Sequence, residues 1–162
     1  MKVLIAIDDS ECSAKALDSV LEHTWPQESE FRIITIVEPV YSYAYTGANM
    51  APIFESQEEF EKECQQMIVE KIAQLKKKFP DAKISGDVIE GIIAGSIVED
   101  AKAWNADLIV LGSHGRRGFQ KFLLGSIAEK VAGLAPCSVE IIKPKSKSEP
   151  VHSNPKQAKK SA

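Results

Sequence analysis

Five short runs rich in apolar and β-branched residues punctuate this chain, and the segments between them carry helical periodicity. The runs span Lys2 to Asp8, Phe31 to Val37, about Ala82 to Ile89, Asp107 to Gly112, and Ser138 to Ile142. Val3 to Ile7 and Leu108 to Leu111 are apolar without a break, as expected of strands buried on both faces. Ser10 can cap a helix running to about Trp25, with Ala14, Leu17 and Leu21 on one face, before Pro26 closes it. From Glu55 to Phe79, Phe60, Cys64, Ile68, Ile72, Leu75 and Phe79 recur at spacings of three and four, which predicts a long amphipathic helix. Gly95 to Trp104 and Ser126 to Leu134 read as two further helices. Strand and helix in strict alternation call for a parallel sheet with helices on both faces. Ligands bind such sheets at the carboxyl ends of the strands, where the strand order reverses. The first and fourth runs are the most buried by composition, so the crevice is expected near Asp8 and Gly112.

Between the second strand and the long helix, residues 38 to 54 show no period and hold Pro39, Gly47, Pro52 and three tyrosines. That reads as a long loop, either mobile or functional. The 162 residues otherwise suit one domain. No apolar run approaches the roughly 20 residues of a membrane helix. Met1-Lys2 leads into only five apolar residues before Asp8, too few for an export signal, so a cytoplasmic protein without membrane contact is expected. Cys12, Cys64 and Cys137 are widely spaced with no CxxC pair, and the histidines at 23, 114 and 152 lack metal-ligand spacing.

Charge is unevenly spread. From Lys143 onward there are six lysines and one glutamate, a balance of +5, while 14 basic and 22 acidic residues give the rest -8. An acidic body argues against a nucleic-acid-binding face. The expected division is one domain over residues 1–143 and a solvated, disordered basic tail over 144–162.

The segment with chemical character follows the fourth strand. Gly112 and Gly115 stand at the strand's carboxyl end, and Gly125-Ser126 opens the next helix. Glycines permit positive φ and let backbone amides approach an anion. A helix start adds unpaired N–H groups and partial positive charge. The Ser126 hydroxyl adds a hydrogen bond, and Arg116, Arg117 and Lys121 raise the local potential. The other reading is that the glycines only shape a tight connection, although thirteen residues from Gly112 to Leu124 exceed the usual two to six. Neither GxxxxGK[ST] nor GxGxxG occurs in the chain.

The spacing Gly112-x2-Gly115-x9-Gly125-Ser126 resembles the ATP-binding signature of the universal stress protein family, G-x2-G-x9-G-[ST]. The opening strand through Asp8 and Ser10, the block Asp107 to Gly115 and the final strand from Pro136 resemble that family in order and spacing. The resemblance implies a five-stranded parallel α/β sandwich with strand order 3-2-1-4-5, paired as a homodimer through the last strand, 138–142. It implies an adenine nucleotide (ATP, or AMP or ADP) with Mg or Mn riding on the phosphates. By position Asp8 takes a ribose or metal-linked role, Ile7 and Val37 lie against adenine, and Ala6, Leu111 and Ser113 belong to the same nucleotide-binding set. Gly112, His114 and Gly115 meet ribose and phosphate, and Gly125, Ser126 and Ile127 hold the phosphate chain. The other readings are Asp8 as a helix-capping carboxylate, although Ser10 is better placed to cap, His114 as an ordinary loop histidine contributing only its backbone, and Arg116 and Arg117 as solvated loop charges.

No general base, carboxylate pair or Ser/His/Asp arrangement accompanies the cradle, and Asp8 and Asp9 would point to opposite faces of a strand. A regulatory ATP-binding stress-response module is therefore expected, with no catalytic residues. A slow ATPase or adenylate-transferring enzyme on the same fold, and an interaction protein with a vestigial pocket, remain open beside it.

Overall fold

The computed structural model describes residues 1–39, 51–115 and 124–144, leaving aside the side chains of 51–56. Strand β1 (Lys2–Ala6) leads to helix α1 (Glu11–Glu22) and strand β2 (Glu30–Val37). Helix α2 (Ala51–Lys78), strand β3 (Lys83–Glu90), helix α3 (Ile93–Trp104) and strand β4 (Leu108–Gly112) follow. Helix α4 (Ser126–Leu134) and strand β5 (Ser138–Ile142) complete the order. The strands form one sheet in the order β3-β2-β1-β4-β5, and every adjacent pair is parallel.

Both faces of the sheet are covered, because successive strand residues point to opposite sides. On one face Val3, Ile5, Phe31 and Ile33 pack with Ala16, Leu17 and Val20 of α1 and Ile68 and Leu75 of α2. On the other, Leu4, Ile34 and Ile109 pack with Ala94, Ile97 and Ala101 of α3 and Ala128 and Val131 of α4. The continuous apolar runs of β1 and β4 are what a two-sided burial demands: Val3, Leu4, Ile5, Ile109 and Val110 are all fully buried.

Several boundaries differ from those the sequence predicts. Helix α1 ends at Glu22, not Trp25. Trp25 instead donates its indole N–H to the Val20 carbonyl at 2.9 Å and meets Phe31 edge-on, so tertiary packing claims it. The buried face of α1 carries Cys12, Ser13, Ala16, Leu17 and Val20, whereas Ala14 is exposed and Leu21 half-buried. The stretch predicted as a loop over 38–54 gives way to α2 already at Ala51. Helix α3 begins at Ile93, two residues before Gly95. Residues 40–50, the loop cations Arg116, Arg117 and Lys121, and the basic tail from 145 onward lie outside the described residues.

Candidate functional site

The chain reverses direction across the sheet beside β1, which pairs with β2 on one side and β4 on the other. At the carboxyl ends of these three strands lies a cavity of about 610 Å³, the position that the reversal of strand order defines in open α/β sheets. The end of β1 presents Ala6, Ile7 and Asp8 to it, and the end of β2 presents Val37. Leu111 and Gly112 come from β4, with Ser113, His114 and Gly115 just beyond it. Gly125, Ser126 and Ile127 enter from the start of α4. The structure thus brings all twelve sequence-predicted residues to one cavity.

Others escape the sequence reading. Ile34 and Ile36 of β2 and Ile93 and Ile97 of α3 form an apolar wall, joined by Phe60 of α2. Ile93 and Ile97 are four apart on one helix, a spacing that marks a shared face, but nothing in the sequence alone aims that face at a cavity. Ser13, Glu38 and Ala128 also line it. Among the described lining residues the carboxylates are Asp8 and Glu38, and none is lysine or arginine. No described group of three or more His, Cys, Asp or Glu is placed to hold a metal ion.

The turn after β1 is tied together by short-range hydrogen bonds. Ser10 caps α1, its Oγ accepting from the Ser13 N–H at 3.2 Å. Asp8 Oδ1 accepts from the Ser10 N–H at 3.0 Å, and the Asp8 N–H donates to Ser13 Oγ at 2.9 Å. Ser10 Oγ also donates to the His114 carbonyl at 3.3 Å, which joins this turn to the segment after β4. Asp8 therefore shapes the turn with one carboxylate oxygen while its side chain lines the cavity. The cap of α1 itself is Ser10, not Asp8.

Across the cavity, the Gly125 N–H donates to the Ser113 carbonyl at 2.8 Å, docking the start of α4 against the strand end. Gly125 is the N-cap of α4 and supplies no side-chain cap. The first N–H groups of a helix have no partner within it, so the α4 start faces the cavity with donors and partial positive charge. Among the three signature glycines none uses a positive φ; their role is close approach. A Cβ on Gly112 would stand 2.7 Å from the Cys12 carbonyl carbon and 2.8 Å from the Ser13 nitrogen. One on Gly115 would stand 2.8 Å from Asp8 Oδ2.

A five-stranded parallel sheet with a crevice at its switch point is the architecture of nucleotide-binding α/β proteins. The sequence profile of the Universal stress protein family matches residues 1–143, and the chain belongs to that family. It is 32% identical over 149 residues to the universal stress protein YxiE of Bacillus subtilis, covering 88% of this chain and 98% of that protein. A universal stress protein of Methanocaldococcus jannaschii is 31% identical over 142 residues, covering 88% and 81%. Among solved structures, UspA of Lactobacillus plantarum superposes with a TM-score of 0.73 at 21% identity, covering 88% and 97% of the two chains. A universal stress protein in complex with cAMP (TM-score 0.58, 21% identity, 88% and 96% covered) shares the fold. So does an Arabidopsis thaliana family protein with AMP bound (TM-score 0.58, 18% identity, 94% and 97% covered).

Proposed function

We propose that the cavity binds an adenine nucleotide, ATP foremost, and that the chain is a regulatory nucleotide-binding module of the stress response rather than an enzyme. The observation that carries this reading is the division of the cavity into two chemically different ends. Ile34, Ile36, Ile93 and Ile97 make one end apolar, suited to a flat base. Asp8, the backbone from Gly112 to Gly115 and the uncapped start of α4 make the other polar, suited to ribose and phosphate. Gly112, Gly115, Gly125 and Ser126 keep the spacing of the family's ATP signature. Solved family members that hold cAMP and AMP favour an adenine nucleotide here.

A divalent ion would ride on the phosphate oxygens with Asp8 as the carboxylate in reach, because the described residues offer no three-ligand set of their own. We place the protein in the cytoplasm as a homodimer paired through β5, whose outer edge has no neighbour in the sheet and so invites a second copy. Among the described residues no helix is long and apolar enough to cross a membrane.

Isothermal titration of the full chain with ATP, with and without magnesium, tests the reading. Binding that Gly115→Val abolishes and Ser126→Ala weakens by about 1 kcal/mol supports it. Absence of binding to ATP, ADP, AMP and cAMP alike would sink it.

A further inference from the structure

His114 carries an unmet hydrogen-bonding group inside the site. Its Nε2 is buried and has no hydrogen-bond partner among the described residues. The other ring nitrogen is tethered: Nδ1 lies 3.1 Å from Ser113 Oγ, and that hydroxyl lies 3.8 Å from Cys12 Sγ. Ser113 is itself almost fully buried, so the tether is held on all sides. Leaving a buried polar nitrogen unpaired costs about 1–3 kcal/mol, and such groups in native proteins call for an explanation. The ring lies against the start of α4, where its Cδ2 is 3.6 Å from the place a Gly125 Cβ would occupy. Beside it stand the first N–H groups of α4, which have no partner within the helix.

We propose that the His114 imidazole, and not only its backbone, is a positioning group for phosphate, its Nε2–H donating to a phosphoryl oxygen seated on the α4 start. This rests on the nucleotide reading above and deepens it. A turn of one hydroxyl sets the required tautomer. The Ser113 hydroxyl donates to Cys12 Sγ at 3.8 Å and stands closer, at 3.1 Å, to Nδ1; a hydroxyl has one hydrogen to give, so when it turns to Nδ1, Nε2 carries the hydrogen. The other tautomer would present a bare lone pair to an anion. Nε2 is shielded from bulk water, and in a dry setting such a bond is stronger.

The test is titration of the full chain with ATP and, separately, with adenosine, using wild type, His114→Gln and His114→Asn. A glutamine amide nitrogen reaches the place of Nε2; an asparagine nitrogen reaches only that of Nδ1. Expected is ATP affinity within about threefold of wild type for H114Q and about tenfold weaker for H114N, as for loss of a bond to a charged group. Adenosine affinity should stay within about twofold throughout, and thermal melts should report both variants as folded. Equal ATP affinity in H114N and wild type would overturn the proposal in favour of backbone contact alone. A parallel loss for adenosine would overturn it in favour of a structural role. Wild type that binds neither ligand would instead refute the nucleotide reading on which it stands.

Discussion

Gly112 and Gly115 stand three residues apart in the same segment and are glycine for different physical reasons. A Cβ at 112 meets backbone, the Cys12 carbonyl carbon and the Ser13 nitrogen, and backbone at the start of α1 cannot retreat without moving the helix. A Cβ at 115 meets the far end of one flexible side chain, Asp8 Oδ2, which gives more easily than backbone. Gly112→Ala should therefore destabilise the fold by about 1–3 kcal/mol, as overpacking does. Gly115→Ala should shift stability by less than about 0.5 kcal/mol yet weaken nucleotide binding, because it displaces Asp8 from its place in the cavity. Gly95 has nothing within 4 Å of its Cβ position and lies in the first turn of α3, so Gly95→Ala should stabilise by about 0.5–1 kcal/mol. Urea unfolding of the three variants beside calorimetric titration separates these outcomes; a Gly112→Ala protein as stable as wild type would refute the packing account. The sequence shows that these positions are glycine but not why. It suggests positive φ or close backbone approach to an anion; none of the three has a positive φ, and the close approach at Gly112 and Gly115 is to α1 and Asp8, which depends on where those come to rest.

At the level of elements, hydrophobic period is the legible part and boundaries are not. The strands and the order of helices follow from burial, which leaves its mark on every residue of β1 and β4. Pro52 reads in sequence as a loop marker, but it is the second residue of α2, and the first turn is where a helix tolerates proline because that N–H has no partner anyway. Ile36, Ile93 and Phe60 are invisible in sequence as cavity residues because a core position and a cavity position have the same composition. Arg32 is equally silent: a lone arginine in an apolar strand signals nothing until α3 and β3 arrive beside it. Its Nε and Nη2 donate to both oxygens of Asp100 at 2.8 and 2.9 Å, and Nη2 reaches Asp87 at 3.1 Å. Hydrogen bonding to Asp100, against the opposing effect of burial, raises the guanidinium above its ordinary range. A raised folded-state value means the stabilisation is complete throughout the neutral range and is lost only in strong alkali. Arg32 and Asp100 side chains are 17% and 14% exposed, against 51% and 52% for Lys15 and Asp18. Asp100→Ala should accordingly cost about 1–3 kcal/mol by stranding a charged donor, while Asp18→Ala should stay within about 0.5 kcal/mol. Chemical denaturation at pH 7 compares them directly, and equal costs would show that burial does not govern the Arg32 pair.

The cavity draws its lining from β1, β2, β4, α1, α2, α3 and α4, from both layers of helices and the sheet between them. A ligand there contacts parts of the chain that are far apart in sequence, so its binding energy adds to the cooperativity of the whole fold rather than to one loop. Occupancy at a hundred times the dissociation constant should then raise the unfolding free energy by about 2.7 kcal/mol. For a domain of this size that is a rise in melting temperature of about 5–10 °C, followed by calorimetry with ATP against the same concentration of GTP as the base control. The described lining residues run from Ala6 to Ala128, and the +5 charge of the lysine-rich stretch from Lys143 onward lies after all of them. A chain ended at Pro144 should show the same ATP-dependent rise at 0.15 M salt, where charges beyond about 8 Å are screened. Loss of the rise on truncation would mean that the basic tail reaches back to the phosphates, and that the acidic body around Asp8 and Glu38 relies on it to hold an anion.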